Sequence, residues 1–133
     1  MRKKTPFDVY NVSEYNILKK SPIRMFGDGS SARDYTFISD ITDGIFATII
    51  TDFDFDIINL GNSKPTKLID FISTIELVTD CKAKINIEEM PEGDVPFTYA
   101  DISKAKELLN FEPKINIDEG ISELVKWYLD ERY

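Results

Sequence analysis

Residues 22–50, PIRMFGDGSSARDYTFISDITDGIFATII, decide the fold. Ile23 to Phe26 is a short apolar run with strand character, and Gly27-Asp28-Gly29 closes it as a turn. Tyr35 to Ile38 carries a second, weaker strand signal. Ser39-Asp40 then opens a helix through Ile50, with Ile41, Ile45, Phe46 and Ile49 at helical spacing. A strand, a glycine turn and a helix in this order begin an α/β unit.

The pattern continues on both sides. Upstream, residues 8–20 read as a helix that stops at Ser21-Pro22, with Lys19 and Lys20 placed to complement its C-terminal dipole. Downstream, Ile57-Ile58-Asn59-Leu60 is a short apolar run bounded by Gly61-Asn62, as in a buried parallel strand. Thr66 is a good N-cap for a helix over 67–79. Lys84 to Glu88 alternates as a strand, and 90–98 is a loop with two prolines. Asp101 or Ser103 caps a helix through Leu109, and Asn116 with Glu119 forms a capping box for a last helix over 117–130. The expected architecture is mixed α/β: one domain over 1–133, with a small, mostly parallel sheet, packed helices and a flexible arm at 1–7.

Composition narrows the chemistry. The 133 residues, 42% hydrophobic, suffice for one cored domain and are too few for two ordinary ones. There is no histidine, which removes Ser-His-Asp triads, Cys-His dyads and His-containing zinc sites. The single Cys81 removes an internal disulfide and every CxxC motif, so a reducing, cytoplasmic setting is expected. A net charge of −8 argues against nucleic acid as the main partner. Residues 1–24 are locally basic, which reads as a solvated helix face and a frayed terminus. No apolar run approaches the roughly 20 residues that span a bilayer. MRKKTPFDVY has no apolar stretch and is not a secretory signal.

Few residues could carry chemistry. Asp52, Asp54 and Asp56 have the start of a calcium-loop spacing, but Ile57 and Ser63 occupy the positions where such a loop needs Gly and Glu. Tyr15 and Lys19 have Tyr-x-x-x-Lys spacing, more simply explained as neighbours on a helix surface. No glycine-rich strand–loop–helix motif for a dinucleotide and no Walker loop are present. Arg33, between the glycine turn and an aromatic segment, could fork onto a phosphate or form an ion pair with Asp34 or Asp40.

Four segments, PIRMFGDGSSARDYTFISDITDGI (22–45), INLGNSKPTKLIDFI (58–72), PEGDVPFTYADISKAKELLNFEPK (91–114) and EGISELVKWY (119–128), resemble the C-terminal part of extended short-chain dehydrogenase/reductases that act on nucleotide sugars. The resemblance is nearest to the UDP-glucuronate 4-epimerase type. It implies a substrate domain that grips UDP or a UDP-sugar, while a Rossmann half binds NAD and carries the catalytic Tyr and Lys. This chain looks like the substrate half only. It would bind no cofactor and catalyse nothing alone.

Carried over by residue, Arg33 matches an arginine on the pyrophosphate. Arg24, Met25 and Phe26 match a strand lying against the uracil, with Phe26 on the base. Asp94 matches a carboxylate that hydrogen-bonds the ribose, and Thr66 lies where the family lines the base pocket. Two positions depart: Pro91 stands where many epimerases carry a second phosphate-binding arginine, and Thr98 stands where tyrosine is common, with Tyr99 beside it. The face that meets a Rossmann half would be apolar, favouring self-association or a separate Rossmann chain as partner. The competing expectation is an interaction module, or a remnant whose pocket no longer binds nucleotide.

Overall fold

A computed structural model describes residues 12–130, with side chains from Tyr15 onward. The elements in chain order are α1 (Val12–Leu18), β1 (Pro22–Phe26), β2 (Ala32–Arg33), α2 (Ile38–Ile50), β3 (Thr66–Lys67), α3 (Leu68–Thr79), β4 (Lys84–Glu88), α4 (Ser103–Leu109) and α5 (Ile117–Asp130). The architecture is mixed α/β, as expected. The flexible arm expected at 1–7, and the helix start expected at residue 8, lie outside the described residues.

β1 and β4 run parallel in register from Pro22–Lys84 to Phe26–Glu88, and Gly27 N extends the ladder to Glu88 O at 2.9 Å. Parallel neighbours need a crossover, here the whole stretch from α2 to α3. Ile23 and Met25 point from β1 into a core shared with Ile17 of α1, Ile72 and Ile75 of α3, and Ile121 and Val125 of α5. Burying each such side chain contributes about 1.5–3 kcal/mol. A second cluster gathers Ile102, Ala105, Leu109 and Phe111, with Ala47, Ile58, Leu60 and Ala100 packed against it.

Several expectations are corrected. The second strand is Ala32–Arg33, not 35–38; it pairs antiparallel with β3 and bridges to Phe97. Residues 34–37 leave the strand because the Asp34 carboxylate draws in three backbone N–H groups, from Asn62, Ser63 and Ala100. Residues 57–60 belong to no strand, since no backbone–backbone hydrogen bond joins them to another described segment. Thr66 does not cap α3: it lies in β3 opposite Arg33, and the capping position is Lys67. The free N–H groups of α3 are met instead by backbone carbonyls, Leu68 N to Ser31 O at 2.8 Å and Ile69 N to Gly29 O at 3.0 Å.

Asp40 likewise caps nothing in α2. It is 3% exposed and accepts Lys114 N and Ile115 N, both at 3.0 Å, tying the start of α2 to the lead-in of α5. The capping box of α5 is present: Glu119 N donates to Asn116 Oδ1 at 3.0 Å and Asn116 N to Glu119 Oε2 at 3.3 Å. Asp101 Oδ1 accepts Ser103 N at 3.0 Å where α4 begins.

Candidate functional site

The site is built around the glycine turn that leaves β1. Gly27 and Gly29 have φ of +67° and +78°, a conformation glycine adopts without strain. A Cβ on Gly29 would lie 3.0 Å from Met25 Sδ and 3.1 Å from Ile69 Cβ, so the turn sits tightly against β1 and α3. Asp28 folds the turn over by accepting Ser30 N at 2.9 Å, and its hydrogen bonds from the Ser30 hydroxyl and N–H hold its carboxyl below the usual range.

Arg33 leaves the end of β2 half-buried. One arm donates to Ala32 O at 3.0 Å, and the other meets Asp94 Oδ1 at 2.8 Å. Neither Asp34 nor Asp40 is its partner, because both carboxylates are committed to backbone N–H groups. Asp94 is presented by a turn over 91–94, in which Gly93 takes φ +84° and Asp94 N donates to Pro91 O at 3.2 Å. The pair is about one-third exposed on each side (31% and 37%). An ion pair this open is worth about 0.2–1 kcal/mol, so an incoming anion can displace it.

Of the six residues singled out from the sequence, Arg33, Asp94 and Thr66 are brought together, Thr66 through its pairing with Arg33. Arg24 and Phe26 lie on β1, with the guanidinium 5.7 Å from the Phe26 ring centre. Arg24 also approaches Glu88, at 3.8 Å. Met25 points the other way: its side chain is in the core, 4% exposed, so it supports the strand and offers a ligand only its backbone.

Where the chain leaves β2, a cleft of about 470 Å³ is lined by Asp34, Thr36, residues 58–61 and Thr98 to Ala100. None of the six lines it. Asp34 is the residue that sequence reasoning missed. It was weighed only as a partner for Arg33, yet it joins the loops at 61–63 and 100 to the strand carrying that arginine. Its position between an arginine and an aromatic gave no signal of that role.

Comparison with known proteins decides the family. A family model for GDP-mannose 4,6-dehydratase matches residues 8–124. The chain belongs to the extended short-chain dehydrogenase/reductases that act on nucleotide sugars. It is 44% identical over 112 residues to a UDP-glucuronate 4-epimerase of Thermodesulfobacterium geofontis, covering 84% of this chain and 34% of that protein. It is 46% identical over 117 residues to an uncharacterised protein of Methanocaldococcus jannaschii, covering 88% and 36%. The crystal structure of UDP-glucuronic acid 4-epimerase from Bacillus cereus, in complex with UDP-glucuronic acid and NAD, superposes with a TM-score of 0.86. The identity there is 30%, and the coverage is 98% of this chain and 42% of that one. The chain thus spans about a third of the length of the curated relatives it matches. Among the described residues no helix is long and apolar enough to cross a membrane.

Proposed function

We propose that this chain is the part of a nucleotide-sugar epimerase or dehydratase that grips the nucleoside diphosphate of a UDP-sugar. The reading rests above all on Arg33, a guanidinium fork at an open site whose present partner is a surface carboxylate. In it, the diphosphate takes the place of Asp94 on Arg33, Phe26 lies against the base, and Asp94 turns to the ribose hydroxyls. Thr66 and the backbone of 24–26 complete the wall.

In this reading NAD is held elsewhere, because no glycine-rich strand–turn–helix cradle stands among the described residues. Gly27-Asp28-Gly29 leads into a strand, not a helix. Epimerisation needs a hydride acceptor, so in this reading the chain catalyses nothing alone and acts beside a dinucleotide-binding partner, in a reducing cytoplasmic setting.

A second reading, an interaction module with a closed nucleotide site, is favoured by Asp94 occupying Arg33 and by Pro91 supplying no second cation. Calorimetric titration of UDP separates the two. Saturable binding that Arg33→Ala abolishes, with no response to NAD, supports the first. Silence at millimolar UDP, a limit of about −4 kcal/mol, overturns it in favour of the second.

A further inference from the structure

β4 has one edge that no described segment pairs. Gly27 N donates to Glu88 O at 2.9 Å, which fixes the phase of the parallel ladder with β1. Lys84, Asn86 and Glu88 therefore turn their backbone groups toward β1, and Ile85 and Ile87 turn theirs away. No backbone–backbone hydrogen bond joins Ile85 or Ile87 to another described segment. The side chains alternate as well. Ile85 and Ile87 lie on the core face, in register with Ile23 and Met25, and Ile85 packs against the core cluster. Ile87 is nonetheless 70% exposed. Lys84 and Glu88 stand at the two ends of the outer face. Lys84 has no ion-pair partner among the described residues, and Glu88 has the 3.8 Å approach of Arg24.

We infer that this edge pairs antiparallel with the same edge of a second copy, about a two-fold axis at Asn86. In that register Ile85 and Ile87 of one chain exchange hydrogen bonds with Ile87 and Ile85 of the other, so every outward N–H and C=O of the two residues is used. Each Ile87 comes to lie against Ile85 of the second copy, which covers it. Each Lys84 comes opposite Glu88 of the second copy, in the closely spaced kind of pair. An edge lysine ordinarily guards a strand against pairing. Here the opposite signs at the two ends make that guard self-complementary in this register. A parallel, in-register pairing would set Lys84 on Lys84 and Glu88 on Glu88, and repulsion disfavours it. The two-fold pairing also closes on itself, so it stops at a dimer. Five residues a side are fewer than the roughly 20–30 of a standard interface, so the dimer is weak and forms at high chain concentration. The edge lies across β4 from β1, so the inference goes beyond the nucleotide reading and does not depend on Arg33.

Sedimentation equilibrium of the full chain, taken up to millimolar concentration, should show a monomer–dimer equilibrium. Amide exchange at Ile85 and Ile87 should slow as concentration rises, while Asn86 and Glu88, already bonded to β1, should not change. Lys84→Glu and Glu88→Lys, each checked for its fold by circular dichroism, should each weaken the dimer about tenfold or more by setting like charges opposite. An equimolar mixture of the two variants should restore it, because each supplies the charge that the other needs. The double variant Lys84→Glu/Glu88→Lys should dimerise as the parent does. A monomer at every concentration, or association that the single variants leave unchanged, overturns the inference. So do a mixture that restores nothing, protection of Ile85 and Ile87 that does not depend on concentration, and growth beyond the dimer. UDP titration of the same samples reports on the nucleotide site independently.

Discussion

Replacing Asp34 tests whether one carboxylate joins the loops around the site. Its Oδ2 accepts Ser63 N at 2.9 Å and Ala100 N at 3.0 Å, and its Oδ1 accepts Asn62 N at 3.0 Å. Asn62 N has a second acceptor, Thr36 Oγ1 at 3.0 Å, so it survives the loss. Asp34→Ala therefore strands two N–H groups, each previously bonded to a charged oxygen. Such bonds contribute about 1.5–3 kcal/mol, and the site is only half-buried, so the expected cost is about 3 kcal/mol. Asp34→Asn can place its one carbonyl oxygen where Oδ2 stood and keep the bonds from Ser63 and Ala100, but its Nδ2 then faces Asn62 N–H donor to donor, so the cost is about 1–2 kcal/mol, still below that of alanine. Equilibrium urea unfolding reads both values against a total stability of about 5–15 kcal/mol. If alanine costs less than about 0.5 kcal/mol, or asparagine costs as much as alanine, the assignment of Asp34 as the organiser fails.

Two further outcomes follow from packing and charge. Gly44→Ala should destabilise by about 1–3 kcal/mol, because its Cβ would stand 2.8 Å from Leu60 Cδ1 and 3.0 Å from Phe111 Cε2; thermal melting within error of the parent would refute this. Glu76 is held below the usual carboxyl range, first by its hydrogen bond from Lys82 and then by Ala83 N. Its folded pKa lies below the unfolded one. Its contribution is therefore complete above the unfolded value of about 4.3 and is lost as pH falls through the folded value. The urea midpoint should fall less between pH 5 and pH 3 in Glu76→Gln than in the parent chain, and parallel curves would count against it.

What was legible in the sequence was local. The strand signals at 23–26 and 84–88, the glycine turn and the Asn116–Glu119 box depend on neighbours a few positions away, and they stand where they were read, the first strand one residue longer at Pro22. The misreadings share one cause, a partner far along the chain. Thr66 has a capping hydroxyl, but the backbone of 29–31 arrived first. Tyr35 looks like a strand residue, yet Asp34 bends the chain and Tyr35 stacks on Phe71, rings 4.3 Å apart. Arg33 was visible as the interesting cation, but its partner lies 61 positions away, beyond any spacing rule. Residues 57–60 carry a strand pattern, yet no described backbone pairs with them.

The parallel pairing of Pro22 with Lys84 also governs how the molecule is made. Sixty-two residues of chain must leave the ribosome after Pro22 before its partner exists, which at about 5–20 residues per second takes several seconds. Through that interval Ile23 and Met25 have no partner strand, and closing so long a loop is slow even afterwards. Nascent chains stalled between Phe26 and Lys84 are therefore the species most exposed to chaperones and to aggregation, and crowded expression should act on yield there rather than on the finished fold.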